Sequence, residues 1–144
     1  GRLQPVLENI ELLARSEVHL EITTLIITGH NDDLAELEEL FSWIAGLKRE
    51  IPLHLTRYFP AYKLDKEPTP ARKMLEAYHL ARDYLDYVYL GNLHLDGASN
   101  TYCPRCGYPV VKRGYYKIIN RLQEGCCPDC GQPIYGTYGG FKNG

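Results

Sequence analysis

Four cysteines carry the plainest chemistry in the chain. They fall as Cys103-Pro-Arg-Cys106-Gly and Cys127-Pro-Asp-Cys130-Gly, two copies of one Cys-Pro-x-Cys-Gly frame. A Cys-x-x-Cys turn directs two thiolates at one ion, and the glycine behind it lets the turn tighten with backbone N–H groups facing sulfur. The separation of the two pairs is close to the roughly 15–20 residues typical of four-cysteine zinc sites. Four thiolates complete a tetrahedron with no open position, so the expected role is structural Zn2+ rather than catalysis. Two other uses of the same residues stay open, a redox disulfide pair and a single bound iron. Cys126 adjoins Cys127, breaks the register and is expected to be spare.

A second set of polar residues falls where parallel strands would end. Thr28, Gly29 and Asn31 close the apolar run Val18–Thr28. The segment Ile51–Phe59 places His54, Thr56 and Tyr58 on one strand face, and Leu53, Leu55, Arg57 and Phe59 on the other. Gly91-Asn92 closes a third run, with His94 just beyond. Ligands of parallel α/β sheets bind at the carboxyl ends of the strands. Imidazole, guanidinium and amide groups there suit a carboxylate or a ribose better than acid/base hydrolysis, since no close carboxylate pair is visible. Each residue also has a plain structural use: His54 as a packed histidine, Arg57 as an ion-pair partner, Asn31 as a helix cap, the glycines as turns. The chain contains no Gly-x-Gly-x-x-Gly, no P-loop, no His-Glu-x-x-His and no nucleophile elbow.

The elements that must hold these groups alternate in type. Leu3, Leu7, Ile10 and Leu13/Ala14 share one face of a predicted helix over Leu3–Ser16, expected to turn toward the core. The β-branched run Val18–Thr28 predicts a buried parallel strand. Asn31 or Asp32 is the expected N-cap of a helix carrying Leu34, Leu37, Phe41, Ile44 and Leu47 on one face. The second strand follows, then a proline- and charge-rich linker over residues 60–70. Thr69-Pro70 is the expected N-cap and first residue of a third helix, with Met74, Leu75, Tyr78, Ala81 and Leu85 spaced for one face. A third strand covers Asp86–Leu90. The order implies a parallel sheet with right-handed crossovers. After a polar linker at 93–101, short strands at Pro109-Val-Val and Tyr115–Ile119, and a second hairpin around Ile134 and Tyr135, predict a zinc ribbon over 102–144.

Bulk properties set the frame. The chain has 144 residues, 44% hydrophobic and 24% charged, with a net charge of −2. These values describe an ordinary globular chain without the excess basic charge of a nucleic-acid binder. Charge is uneven: residues 1–100 hold 10 Lys+Arg against 16 Asp+Glu, and residues 101–144 hold 6 against 2. No apolar run approaches the ~18 residues that span a bilayer, and there is no secretory signal pattern. Paired cysteines at metal spacing outside a secretory context predict a reducing cytoplasm.

The series Glu21–Asp32, Pro52–Lys63, Tyr87–Asn92 and Thr101–Gly107 resembles, in order and over nearly the whole chain, the C-terminal part of the radical S-adenosylmethionine enzyme of the AmmeMemoRadiSam system. That family is related to the pyruvate formate-lyase activating enzyme. The resemblance implies a partial (β/α)6 barrel, with residues 1–92 its C-terminal half, 93–101 a linker and 102–144 the ribbon. It implies a [4Fe–4S] cluster and S-adenosylmethionine in the complete parent protein. The family's Cys-x-x-x-Cys-x-x-Cys loop occurs nowhere in this chain. The resemblance therefore implies a C-terminal portion that is not catalytically competent alone. Thr28, Gly29, Asn31, His54 and Arg57 resemble cavity-lining positions, His54 and Arg57 foremost for a methionyl carboxylate or ribose, with Asn92 behind them. The implied partners are the missing N-terminal barrel half and a protein substrate or partner proteins of the same system, with no membrane and no nucleic acid. A different class of reading makes the ribbon the working part. Arg105, Lys112, Arg113, Tyr115, Tyr116, Lys117 and Arg121 interleave positive charge with stacking surface, as binders of single-stranded nucleic acid do. A simpler use of that basic surface is docking on the acidic half of the same chain.

Overall fold

In the computed structural model, which describes residues 2–136, helices and strands alternate as the sequence predicts. The order is α1 (Leu3–Ala14), β1 (Ile22–Ile26), α2 (Leu34–Leu47), β2 (Leu53–Arg57), α3 (Ala71–Tyr84) and β3 (Val88–Gly91). Three short strands follow: β4 (Thr101–Tyr102), β5 (Pro109–Arg113) and β6 (Ile118–Asn120). The fold is mixed α/β, with a three-stranded parallel sheet in the order β1-β2-β3 and a three-stranded sheet in the order β4-β5-β6.

The pleat decides what each face of the parallel sheet meets. Ile22, Ile26, Leu53, Leu55, Val88 and Leu90 face one way and form one core with Leu37, Phe41 and Ile44 of α2 and Met74, Ala77, Tyr78 and Ala81 of α3. The opposite face carries Thr23, His54 and Tyr89 in one cross-strand row and Leu25, Thr56 and Gly91 in the next. Among the described residues, helices therefore pack on one face only, and the opposite face is largely polar.

Several expectations are corrected in detail. β1 is five residues long, not the whole Val18–Thr28 run. The N-cap of α2 is Asp33, whose side chain accepts from the N–H groups of Ala35 and Glu36. Asn31 and Asp32 are used elsewhere, as described below. Pro70, not Thr69, stands at the N-cap of α3, without a side-chain cap. Thr69 is buried, and its hydroxyl donates to the carbonyl of Ile26 at 2.5 Å. α1 has the predicted amphipathic pattern but buries no residue; only Ile10 and Ala14 pack partly on the core, and Leu3 is 70% exposed.

The second sheet is antiparallel and holds its own small core of Cys103, Val110, Val111, Cys127 and Ile134, joined by Tyr87. Tyr115 and Tyr116 lie in the turn ahead of β6, not in a strand. The expected hairpin at Ile134 reduces to single bridges, Gln123 to Cys126 and Cys126 to Pro133. The ribbon predicted to residue 144 extends past the described residues. Both cores meet at β3. Val88 and Leu90 enter the helix-side core, while Tyr87 and Tyr89, of opposite parity, join the cysteine-bearing core.

Candidate functional site

The two cysteine turns are built alike. In the first, Cys103 N–H donates to the Tyr108 carbonyl and Gly107 N–H to the Cys103 carbonyl, each at 2.9 Å. In the second, Cys127 N–H donates to Gln132 and Gly131 N–H to Cys127, again at 2.9 Å. Gly107 and Gly131 have φ of 75° and 74°. That left-handed conformation, not crowding, is what requires glycine, because an added Cβ would meet nothing within 4 Å at either position.

These turns bring Cys103, Cys106, Cys127 and Cys130 together, with all four sulfurs within 4.8 Å of one another. Cys103 Sγ lies 3.6 Å from Cys130 Sγ, and Cys106 Sγ 3.7 Å from Cys127 Sγ. A disulfide needs about 2.05 Å, so these are free thiols. A tetrahedron with metal–sulfur bonds of about 2.3 Å has edges of about 3.8 Å. The donor set fits a metal ion, and all four donors are sulfur, which suits a soft or borderline cation.

The close approach of the sulfurs separates their thiol pKa values. Burial pushes the Cys103 thiol up, but N–H donation from Cys106 and Arg105, with hydrogen bonds from the neighbouring sulfurs, brings it down to about 7. Cys106 accepts the N–H of Tyr108, which favours its thiolate. Desolvation and the sulfurs of Cys130, Cys127 and Cys103 override this and push it up to about 12. Cys130 accepts the N–H of Gln132 and is favoured as thiolate by Cys106, but desolvation and the sulfurs of Cys103 and Cys127 raise it on balance. Cys126 lies outside the cluster.

The strand-end residues split into two groups. At the carboxyl ends, Gly29 has φ of 73° and donates its N–H to Asp32 Oδ1 at 2.9 Å. Asp32 Oδ2 pairs with Lys73 Nζ at 2.6 Å, and this hydrogen bond, opposed by burial, holds the Asp32 carboxyl below its usual range. The Thr28 hydroxyl is buried and has no hydrogen-bond partner among the described residues. Arg57 Nε donates to the Thr69 carbonyl at 2.7 Å, and its guanidinium lies 4.8 Å from the Phe59 ring centre. The Asn92 amide donates to the Arg57 carbonyl at 3.4 Å. Asn31 is not the helix cap; its side-chain amide bonds the β1 backbone. Its Oδ1 accepts from Ile27 N–H at 2.7 Å and its Nδ2 donates to the Leu25 carbonyl at 2.8 Å.

His54 does not join that group. It is the second residue of β2, three residues before Arg57, about 10 Å along the strand and on the opposite face. Its Nε2 lies 2.9 Å from Glu21 Oε2, and Glu21 Oε1 lies 2.9 Å from His19 Nε2. The His54 ring stacks on Tyr89 and the His19 ring on Tyr135. Hydrogen bonding from His19, opposed by burial and supported by His54, lowers the Glu21 pKa below its usual 4.5. His19 and Glu21 of this chain border a cavity of about 470 Å³ shared with Arg113, Thr101 and Asn120 of the cysteine-bearing module. Sequence reasoning missed it. His19 and Glu21 precede the strand proper, and His54 lies 33 residues beyond Glu21.

The basic residues of the module are partly committed inside the molecule. Arg113 donates to the Ser99 carbonyl and the Thr101 hydroxyl, each at 2.9 Å, and lies 5.4 Å from the Tyr89 ring centre. Arg121 lies 5.9 Å from the ring centre of Tyr108. Arg105, Lys112, Lys117, Tyr115 and Tyr116 remain on the surface, with Tyr116 96% exposed.

No protein-family model matches the chain, and no solved structure matches it. An uncharacterized protein of Methanocaldococcus jannaschii is 38% identical over 138 residues, 92% of this chain and 41% of that protein. The chain spans less than half the length of this relative. Among the described residues, no helix is long and apolar enough to cross a membrane.

Proposed function

We propose that this chain is the C-terminal portion of a radical S-adenosylmethionine enzyme similar to the pyruvate formate-lyase activating enzyme, with a structural zinc ribbon. One observation carries the barrel part of this reading: the parallel sheet has helices on one face and a largely polar face opposite. Doubly wound sheets carry helices on both faces, whereas a (β/α) barrel carries them outside only. His54, Thr56 and Tyr89 would then face the barrel interior. The ribbon, which packs on Tyr89 and shares a cavity with Glu21 and Pro52, would close the amino-terminal end of the strands and leave their carboxyl ends open.

Thr28, Gly29 and Arg57 at those ends are the residues assigned to line a cofactor cavity. The unpartnered Thr28 hydroxyl is the clearest group there that a ligand could satisfy. His54 is assigned to the ribbon-facing end instead. The chain contains no Cys-x-x-x-Cys-x-x-Cys loop, so its own residues do not fit the [4Fe–4S] cluster and no step is assigned to them. The ribbon's four sulfurs are assigned to Zn2+, with each thiolate deprotonated on binding.

The test is made on the polypeptide that joins this chain to the sequence encoded ahead of it. After anaerobic cluster reconstitution and reduction, 5′-deoxyadenosine should form from S-adenosylmethionine. No deoxyadenosine, or no cluster-binding cysteine motif in that sequence, overturns the reading. Metal analysis of the chain should find about one zinc per chain; iron in its place overturns the zinc assignment.

A further inference from the structure

The basic surface of the cysteine-bearing module has two uses open to it from its sequence, docking on the acidic half of the chain or holding a partner of opposite charge. The structure separates them. Residues 97–123 contain Arg105, Lys112, Arg113, Lys117 and Arg121 and no Asp or Glu. Among the described residues, no ion pair joins any of these five to a carboxylate. The module docks instead through Tyr87 and Tyr89, through the 2.9 Å contact of the Tyr89 and Thr101 hydroxyls, and through Arg113. The net charge of −2 therefore hides a basic surface that the acidic half does not neutralise by contact.

The β5–β6 hairpin sorts these groups. Lys112 pairs with Ile119 and Arg113 with Ile118. By strand alternation, Lys117 and Arg121, two residues to either side of Ile119, share the face of Lys112 and Ile119 in steps of about 7 Å. Arg113, Ile118 and Asn120 take the other face and border the cavity shared with Glu21 and Tyr89. Gly114 N–H donates to the Lys117 carbonyl at 2.9 Å, which closes the turn and sets Tyr115 and Tyr116 at its tip. Tyr115 is 74% exposed and Tyr116 96%, and neither joins a core. The Tyr115 ring centre lies 5.1 Å from that of Tyr116 and 4.8 Å from that of His94, so three rings cluster outside both cores.

We propose that this hairpin binds single-stranded nucleic acid, with phosphates along Lys112, Lys117 and Arg121 and bases stacked on Tyr116 and Tyr115. Each half of the surface serves one half of a nucleotide. Cations neutralise phosphates, and an open aromatic face stacks on any base. Asp96 lies on the His94 side of the tip, where it shares a cavity with His94 and Tyr115, and this assigns the phosphates to the opposite, Lys112 side. The rings select a single strand, because the bases of a duplex are already stacked on one another and offer no free face. The inference goes beyond the enzymatic reading above and does not rest on it.

Fluorescence anisotropy on the metal-loaded chain tests it, with labelled oligouridine and oligodeoxythymidine of about 12 nucleotides and a duplex of equal length. The single strands should bind saturably at low salt, and the duplex about 10-fold more weakly. The logarithm of the binding constant should fall against that of salt with a slope of about −2, as three phosphate contacts require. That slope needs no substitution to read. Combining Lys112→Gln with Lys117→Gln should flatten it to about −0.7. Tyr116→Ala should weaken binding about 10-fold at unchanged slope, and Tyr116→Phe, which keeps the ring, should restore it. Binding of either strand in this pattern supports the proposal, and the ratio of the two affinities says which sugar is read. No saturable binding of either strand at low salt overturns it and leaves the tip to a protein partner. Equal affinity for the duplex overturns it too, as does a Tyr116→Ala protein that keeps its metal and binds like the unaltered one.

Discussion

At the scale of single residues, the four clustered cysteines and the spare one make opposite predictions. Cys127→Ser removes one of four sulfurs that converge within 4.8 Å, whereas Cys126 is not among them. Removing a ligand from a structural zinc site costs folding free energy directly, because metal binding and folding are linked. Cys127→Ser is expected to lose stoichiometric metal, and Cys126→Ser to keep it, by metal analysis after dialysis. The Glu21 carboxylate gives a pH prediction. Its folded pKa is depressed chiefly by the His19 hydrogen bond. A depressed carboxylate contributes stability that is present above about pH 4.5 and is lost as pH falls through the folded value. The side chain is half exposed, so screening holds the effect below about 1 kcal/mol. Glu21→Gln should therefore flatten the fall in the urea midpoint below pH 4.5 and leave its slope unchanged near pH 8. An equal acid-side fall in both proteins would show that the carboxylate does not hold the two histidines in solution.

At the scale of elements, helix and strand alternation was legible because the patterns are strong. Leu37, Phe41 and Ile44 occupy one helix face, and Leu53 and Leu55 alternate cleanly along β2. Ends and caps were less legible because several adjacent residues could do the same local job. Asn31, Asp32 and Asp33 can each cap a helix, and the choice of Asp33 follows from tertiary claims on the other two. Asn31 is drawn to the β1 edge and Asp32 to Gly29 and Lys73. Thr69 shows the same limit. Thr-Pro is a local signal for a helix start, but the hydroxyl reaches a carbonyl 43 residues away. Its backbone carbonyl also accepts from Arg57, so Thr69 ties the loop before α3 to the ends of β1 and β2. Thr69→Val is expected to cost about 1–3 kcal/mol by stranding a buried group. Thr69→Ser keeps the hydroxyl and should cost about 1 kcal/mol for one methyl group. Urea unfolding at unchanged slope measures both, and equal losses would mean that the methyl, not the hydroxyl, holds the loop.

At the scale of the whole molecule, two cores are joined through alternate faces of one strand. The cysteine frame announced a second unit in the sequence, but nothing local announced where it docks. That depends on Tyr87 and Tyr89 lying opposite Val88 and Leu90, and on Arg113 bridging Ser99, Thr101 and the Tyr89 ring. The small core contains two of the four clustered sulfurs, Cys103 and Cys127, whereas the helix-side core contains none. Chelation should therefore act unevenly. Metal removal is expected to release the antiparallel module, seen as lost protection at Val110 and Val111, while α2, α3 and β1–β3 keep theirs. Helical circular dichroism should change little, since no residue of β4–β6 is helical. Coupling through Tyr89 predicts a further distinction. Tyr89→Phe removes the 2.9 Å contact with the Thr101 hydroxyl but keeps the ring against His54 and Arg113. Tyr89→Ala removes both. In the metal-loaded protein Tyr89→Phe should unfold in one transition and Tyr89→Ala in two, the module first. A single transition for Tyr89→Ala, coincident by fluorescence and circular dichroism, would mean that the sheet and the module fold as one unit without this ring. Loss of the whole fold on chelation would place the metal at the centre of stability for the parallel sheet as well.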